Sequence, residues 1–247
     1  MDKMVRTNLR AMQGIMNRQT VIANNMANAS TTGFRGEIVN AQALYINGDG
    51  LDSRATVKEE VLAADMNPGP IKTTGRPLDI AMQGDALLAV QAPDGAEAYT
   101  RRGDLQLTES GLVTTGDGFP VLGRSGPLTL PPADQLRIAD DGGVWIVPPG
   151  GDPLQPQQVD QLKIASPKGS EIVKFTDTLF HVPDDGVLPA DPDARLVTGA
   201  LEGSNVNMTQ ALVDMIETSR AWEAQVKLMT SAQELDESGA RIMQMPN

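Results

Sequence analysis

The 247-residue sequence contains no cysteine and a single histidine, His181. Disulfides, thiol catalysis and zinc sites of the cysteine–histidine type are thereby excluded, and the commonest general base is reduced to one candidate. Phe, Trp and Tyr together make up 3% of the chain, so few aromatic pockets are expected. No run of about 18 apolar residues occurs, which argues against a membrane-spanning helix. The first twenty residues interleave apolar side chains with Arg, Asn and Gln, unlike a cleavable secretory signal. Positive charge is scarce as well: 20 Lys and Arg stand against 32 Asp and Glu, a net charge of −12. Such a surface repels a nucleic-acid backbone over most of its extent.

Catalytic and ligand-binding patterns are equally thin. Neither a phosphate loop nor a GxGxxG fingerprint occurs, and Ser125 follows Gly123 but precedes Gly126-Pro127, so no GxSxG elbow forms. The segment Asn47-Gly-Asp49-Gly-Leu51-Asp52 resembles the start of a calcium loop, yet Leu51 replaces a ligand and Lys58 stands where a bidentate Glu is needed. His181 lies between Phe180 and Val182 in an expected strand, a setting that suits a packed side chain. The carboxylate pairs Asp140/Asp141 and Asp184/Asp185 each precede Gly, the context of a turn rather than of paired acid and base. No catalytic residue, cofactor or metal ligand is expected, and the chain reads as a non-enzyme.

What is present is organised by its ends. Residues 1–46 carry Lys3, Arg6, Arg10, Arg18 and Arg35 against Asp2 and Glu37, a net of +3, which leaves −15 for the rest. Residues 3–28 read as a helix, with Val5, Leu9, Met12, Met16, Ala23 and Met26 at alternating spacings of three and four and Gln19 at the remaining position. The run Asn28-Ala-Ser-Thr-Thr-Gly33 should end it, because small polar side chains compete for the backbone and Gly permits a left-handed residue. The C-terminal segment repeats the pattern with Met208, Leu212, Met215, Ser219, Trp222, Val226 and Met229, then shifts by one to Ala232, Leu235, Gly239 and Ile242. Asn207 and Gln210 have the spacing of a capping box at its start. Two apolar positions per seven residues is a stripe suited to a coiled-coil seam with a partner helix, in the same chain or another. The C-terminal segment has a net charge of −3 over 207–245, opposite to the +3 of residues 1–28.

Between the helices, from about Val57 to Gly199, short apolar runs such as Leu78–Met82, Leu87–Val90, Leu105–Leu107, Leu136–Ile138 and Val144–Val147 alternate with turn signals. Pro93-Asp94-Gly95, Gly116-Asp117-Gly118 and Asp140-Asp141-Gly142-Gly143 are turn chemistry. Segments 47–56 and 147–156 read as loops. The expected fold is α+β: a mostly β body over 47–200, with terminal helical segments 1–46 and 201–247 pairing as a coiled-coil-like assembly domain.

The stretch Ala23-Asn24-Asn25-Met26-Ala27-Asn28, followed by Ala29-Ser30-Thr31-Thr32-Gly33-Phe34-Arg35, is unusual because Asn is a poor helix former. It resembles the N-terminal signature of the flagellar rod, hook and hook-associated axial proteins. Gln83-Gly84-Asp85, Tyr99-Thr100-Arg101-Arg102-Gly103 and Gly118-Phe119-Pro120 look like that family's central β segment. Leu201-Glu202-Gly203-Ser204-Asn205-Val206-Asn207 and Met215 to Glu223 look like its closing helix. Within the family the chain is most similar to proximal-rod members, from Met1-Asp2-Lys3 and the Gly123 to Pro131 segment, with distal-rod members next. Ala86-Leu87-Leu88 stands where many members have Gly-Phe-Phe, and Trp222 where Tyr or Phe is common.

The resemblance implies a structural subunit of the flagellar basal-body rod that polymerises helically, with itself and other rod proteins as partners. It further implies passage through the flagellar type III export apparatus without a cleaved signal, and a location in the rod crossing the periplasm. The assembly residues it marks are Val5, Leu9, Met12, Met16, Asn24, Asn25, Asn28, Gly33, Phe34 and Arg35 at the N-terminal end. At the C-terminal end they are Ser204, Asn205, Val206, Asn207, Leu212, Met215, Arg220, Trp222, Val226 and Met229. Two alternatives stay open on the residues alone. One is a secreted acidic β domain that binds or hydrolyses polysaccharide, the other a soluble coiled-coil adaptor with a β head.

Overall fold

A computed structural model describes residues 2–45, 55–175 and 177–243. The chain divides into two compact units. One comprises Met1–Ala27, Glu37–Ala63 and Asn207–Asn247, and the other Asn28–Gly36 and Ala64–Val206. The fold is α+β, mostly β with a long helix toward each end of the sequence.

The helical unit contains α1 (Asp2–Ala27), β1 (Glu37–Tyr45), β2 (Ala55–Ala64) and α2 (Met208–Met243). β1 and β2 pair as a two-stranded sheet, an element that the sequence reading missed because it places no strand before Val57. α1 and α2 contact each other. α1 runs as far as expected and ends at Ala27, where Asn28 turns the chain by accepting from Thr31 N at 3.1 Å on its carbonyl and from Thr31 Oγ1 at 3.2 Å on its side chain. The α2 start is capped by Asn207, whose Oδ1 accepts from Thr209 N at 3.0 Å and Gln210 N at 3.2 Å. The Gln210 side chain does not reach back to complete the box; its Nε2 donates to Asp214 Oδ1 at 2.9 Å. The suggested calcium-loop segment, 47–52, lies outside the described residues.

The β unit contains β3 (Ile71–Thr73), β4 (Ile80–Met82), β5 (Leu87–Gln91), β6 (Glu97–Thr100), β7 (Leu105–Leu107), β8 (Val113–Thr115), β9 (Gln135–Ile138), β10 (Gly143–Val147), β11 (Gln157–Gln161), β12 (Ile164–Ala165), β13 (Val173–Lys174), β14 (Phe180–His181), β15 (Leu196–Thr198) and β16 (Ala200–Glu202). A five-stranded sheet runs in the order β12-β5-β6-β14-β13, a three-stranded sheet in the order β11-β10-β9, and three pairs join β15 to β4, β16 to β3 and β7 to β8. All of these pairings are antiparallel.

The continuous apolar run at Leu87–Val90 reflects burial on both sides of β5. Leu88 and Val90 join one core cluster with Ile80, Leu105 and Val113, while Leu87 and Ala89 join another with Tyr99 and Phe180. The Tyr99 hydroxyl donates to Glu97 Oε1 at 2.6 Å and accepts from Leu188 N at 2.6 Å. Burial, reinforced by that carboxylate, raises the phenol pKa above its ordinary value.

The acidic pairs are turn residues. In the β9–β10 hairpin Asp141 Oδ1 accepts from Gly143 N at 2.9 Å, and Asp184 lies in a single 3-10 turn over Pro183–Asp185. His181 pairs with Asp177 at 3.0 Å and stacks on Phe175 with ring centroids 4.5 Å apart, a packed arrangement on one hairpin.

Candidate assembly site

The residues marked by the N- and C-terminal signatures separate into two kinds of environment, one inside the β unit and one on the helices.

Inside the β unit the two signatures meet. Period-two alternation along β16 puts Glu202 on the same side as buried Ala200, so a carboxylate enters the interior. Two guanidinium groups receive it. Arg35 Nη2 lies 2.8 Å from Glu202 Oε1, and Arg101 donates from Nε at 2.8 Å and Nη2 at 2.5 Å to Glu202 Oε2. The three side chains are 1 to 2% exposed. Glu202 Oε1 also accepts from Gly69 N at 2.9 Å. Spare donors are used on carbonyls: Arg101 reaches Ala86 O at 2.5 Å, Gly84 O at 2.8 Å and Met82 O at 2.9 Å, and Arg35 Nη1 donates to Asn67 O. Burial lowers the Arg35 pKa from its ordinary value, the Glu202 carboxylate opposes that shift, and neighbouring Arg101 adds to it. A buried carboxylate shared by two fork-shaped donors is held in one geometry and closed to solvent, which suits a structural clasp.

The flanking signature residues complete this clasp. Gly33 N donates to Glu202 O at 2.8 Å. Only glycine fits there, because φ is +67 and a Cβ would lie 2.4 Å from the Arg101 carbonyl. Phe34 is buried with Lys174 Nζ 3.6 Å above its ring, and the same ammonium donates to Arg35 O at 2.8 Å. Asn205 Oδ1 accepts from Gly36 N at 2.8 Å, while its Nδ2 donates to Asp65 O at 2.8 Å and Asn67 O at 3.0 Å. Buried Ser204 accepts from Val206 N at 3.2 Å, and Val206 is half-buried. Asn28 Oδ1 accepts from Thr31 Oγ1 at 3.2 Å. The sequence reading marked neither Glu202 nor Arg101 as a site residue; the alternation around Ala200-Leu201-Glu202 was the available signal.

On the helices the pattern differs. Asn25 mimics a strand partner, donating from Nδ2 to Glu37 O at 2.9 Å and accepting from Glu37 N at 2.8 Å. Asn24 lies on the exposed side of α1. The protected lane of α1 is Asn8, Met12, Ile15, Gln19, Ile22 and Met26; that of α2 is Ala211, Met215, Thr218, Trp222, Gln225, Met229 and Ala232. Both lanes keep the alternating three-four spacing of the expected stripe and share Met12, Gln19, Met26, Met215, Trp222, Met229 and Ala232 with it. Their other members sit one residue earlier and are smaller, more polar or β-branched. Asn8 Nδ2 and Gln225 Oε1 are buried there without a hydrogen-bond partner. The remaining large apolar stripe members stand outward, Leu9 being 52% exposed, Met16 54%, Leu212 47% and Val226 43%, while Ser219 is half-buried. Arg220 is exposed, and the Val5 side chain lies outside the described residues.

Comparison with known proteins assigns each of these regions. Residues 6–35 match the model "Flagella basal body rod protein", residues 81–176 "Flagellar hook protein FlgE/F/G D1 domain", and residues 197–242 "Flagellar basal body rod FlgEFG protein C-terminal". The chain is 39% identical to the flagellar basal-body rod protein FlgF of Salmonella typhimurium, over 99% of this chain and 100% of that one. It is 38% identical to FlgF of Escherichia coli, over 99% and 98%. The flagellar basal-body rod protein FlgG of Bacillus subtilis is 30% identical over 94% of this chain and 97% of its own. Both outward stripes and the clasp's Arg35 and Glu202 fall within the matched terminal regions, and Arg101 within the central one; the chain belongs to the flagellar basal-body rod protein family, whose members are structural proteins rather than enzymes.

Proposed function

We propose that the protein is a rod subunit that polymerises helically through its terminal helices, forming part of the drive shaft that crosses the periplasm. The observation that carries this reading is the outward placement of Leu9, Met16, Leu212 and Val226 at coiled-coil spacing. Large apolar side chains at that period gain little from water and much from another helix. Within each subunit α1 and α2 pair in coiled-coil fashion along their protected lanes, and neighbours cover the rest. Residues 1–46 and 201–247 supply the assembly surfaces, and 47–200 form the body. The clasp around Glu202 keeps the two signature segments in fixed positions, so Gly33, Phe34, Arg35, Ser204, Asn205 and Val206 act by holding shape. Asn24, Met12, Met215, Arg220, Trp222 and Met229 belong to the assembling helices.

Delivery fits the same reading. A chain without cysteine can pass unfolded through the flagellar type III export apparatus with no risk of mispaired thiols, and no cleaved signal is required for that route. Neighbours in the rod are other rod proteins and further copies of this one. A polysaccharide-binding β domain or a free coiled-coil adaptor leaves the likeness to rod proteins along both ends and the body without a cause.

Replacing Leu212 and Val226 together by Asp tests this. In a strain lacking its own rod protein of this type, the double variant should be made and exported yet fail to restore swimming, while its β-sheet circular dichroism stays at the wild-type level. Normal swimming would overturn the reading, as would loss of the β-sheet signal, because the stripe would then serve the fold.

A further inference from the structure

The β unit is closed by the end of its own sequence. Glu202 lies 101 residues from Arg101 and 133 from Gly69, and Asn205 lies 169 from Gly36. β4 takes its strand partner from β15, and β3 from β16. Gly33 N donates to Glu202 O and Asn205 N to Phe34 O, so the N-terminal signature is held from the same place. Leu196, 1% exposed, completes the core cluster that contains Ile80, Leu88 and Val90.

The five-stranded sheet depends on this late segment as well. Arg101 directly follows β6, and its guanidinium grips the carbonyls of Met82, Gly84 and Ala86, where the chain passes from β4 to β5. That grip ties β4, β5 and β6 together and buries the cation almost completely. The carboxylate that pairs with it, and with Arg35, is Glu202. Burying such a cation before its counter-ion arrives is strongly unfavourable, and the counter-ion arrives only after a long loop has closed.

We infer that residues 196–205 are a closing latch: the β unit does not take its packed form until this segment docks, and it then closes in a single step. Before docking, Arg35 and Arg101 stay hydrated, β3 and β4 lack their strand partners, and the core is open where Leu196 will sit. A chain synthesised from its N-terminus therefore stays open until residue 205 is available. Phe34 and Arg35, buried in the finished unit, remain accessible until then, so the clasp makes burial of the N-terminal signature conditional on possession of the C-terminal one. This ordering concerns the β unit alone and stands or falls separately from helical polymerisation.

Refolding of the full-length chain from urea, followed by pulsed hydrogen exchange and mass spectrometry, tests the latch. The amides of β5, β6 and β10 should gain protection in the same phase as those of β3 and β16. Protection of β5, β6 and β10 in an earlier phase, with β3 and β16 still exchanging, would overturn the inference. Full-length variants give a second readout. Asn205→Ala removes the acceptor of Gly36 N and the donor to Asp65 O and Asn67 O but leaves both arginines paired with Glu202. It should refold about fivefold or more slowly while unfolding near the wild-type rate, because the latch contacts form in the limiting step. Glu202→Gln should slow refolding further, and Asn205→Ala carries the test alone if that variant does not refold. Wild-type refolding combined with faster unfolding in Asn205→Ala would place docking after the core has closed, and the latch would be overturned.

Discussion

The β unit and the helical unit handle unfavourable chemistry in opposite ways. The β unit takes charge inside: Arg35, Arg101 and Glu202 are almost wholly buried, and the carboxylate is met by guanidinium donors and a backbone amide. The helical unit leaves apolar surface outside: Leu9, Met16, Leu212 and Val226 are about half exposed while Asn8 and Gln225 bury polar atoms without partners. The Glu202 carboxylate is met by its donors, whereas Arg35 Nε and Asp79 Oδ1 are buried in this unit without a hydrogen-bond partner, so the clasp is closed around its anion but not saturated. Exposed apolar stripes at helical spacing are incomplete by the same reasoning, since the free energy of covering them is not realised within one chain. The contrast separates residues that hold the subunit's shape from residues left over for its neighbours, although the signatures contain both kinds in adjacent positions.

The sharpest way to break this contrast is to remove the clasp's centre. Glu202→Gln keeps the volume but strips the charge that serves two arginines, leaving buried guanidinium groups without a counter-ion. A loss of about 3–5 kcal/mol is expected for breaking a buried pair in this way, read as a shift in the urea midpoint of the β-sheet signal. A midpoint within error of wild type would mean that the clasp contributes little and that the β unit is not closed by it.

A smaller effect is expected from Gly33→Ala, and a second glycine calibrates it. Both Gly33 and Gly95 have positive φ, +67 and +88, but a Cβ at Gly33 would lie 2.4 Å from the Arg101 carbonyl whereas at Gly95 it meets nothing within 4 Å. Gly95→Ala should cost only the left-handed strain, at the low end of about 1–3 kcal/mol. Gly33→Ala should cost distinctly more, because backbone must move as well. Equal losses in denaturant unfolding would show that signature residue 33 is kept for its conformation alone and not for close approach to Arg101.

Much of this was legible beforehand, and the missing parts have physical causes. Turns were readable because Asp-Gly and Pro-Asp-Gly chemistry is local, and the β5 run was readable because burial on both sides removes polar residues from it. The three-four spacing of both helices was equally plain. Which of two adjacent lanes is protected was not, because Met12, Gln19 and Met26 belong to both lanes of α1, and Met215, Trp222 and Met229 to both lanes of α2. A reading by hydrophobicity prefers Leu9 to Asn8 and Leu212 to Ala211, and the structure protects Asn8 and Ala211. The clasp was hidden for a different reason. Arg35, Arg101 and Glu202 are brought together from three distant segments, and no local spacing links them. β3 and β16 escaped notice because β3 is exposed throughout and β16 buries a charged residue, so neither reads as an apolar run, and β1–β2 because it follows a helix without a marked change in composition.

The smallest expected effect concerns the helical unit's own contribution to its order. Asn207 caps α2 through Thr209 N and Gln210 N, and Asn207→Ala removes both acceptor contacts while touching neither lane of the helix. A cap of this kind stabilises a helix by about 1 kcal/mol, too little to unfold a β unit held by its own core and buried clasp. It is large, however, beside the stability of a helix with one lane uncovered, because isolated helical segments owe most of their order to packing. The variant should therefore lose helical circular dichroism at low protein concentration, recover it as concentration rises and neighbours cover the stripe, and leave the β-sheet melting transition unmoved. If helicity and the β transition shift together at every concentration, the two units share one cooperative fold, and the division between a closed body and an open, neighbour-dependent helix pair fails.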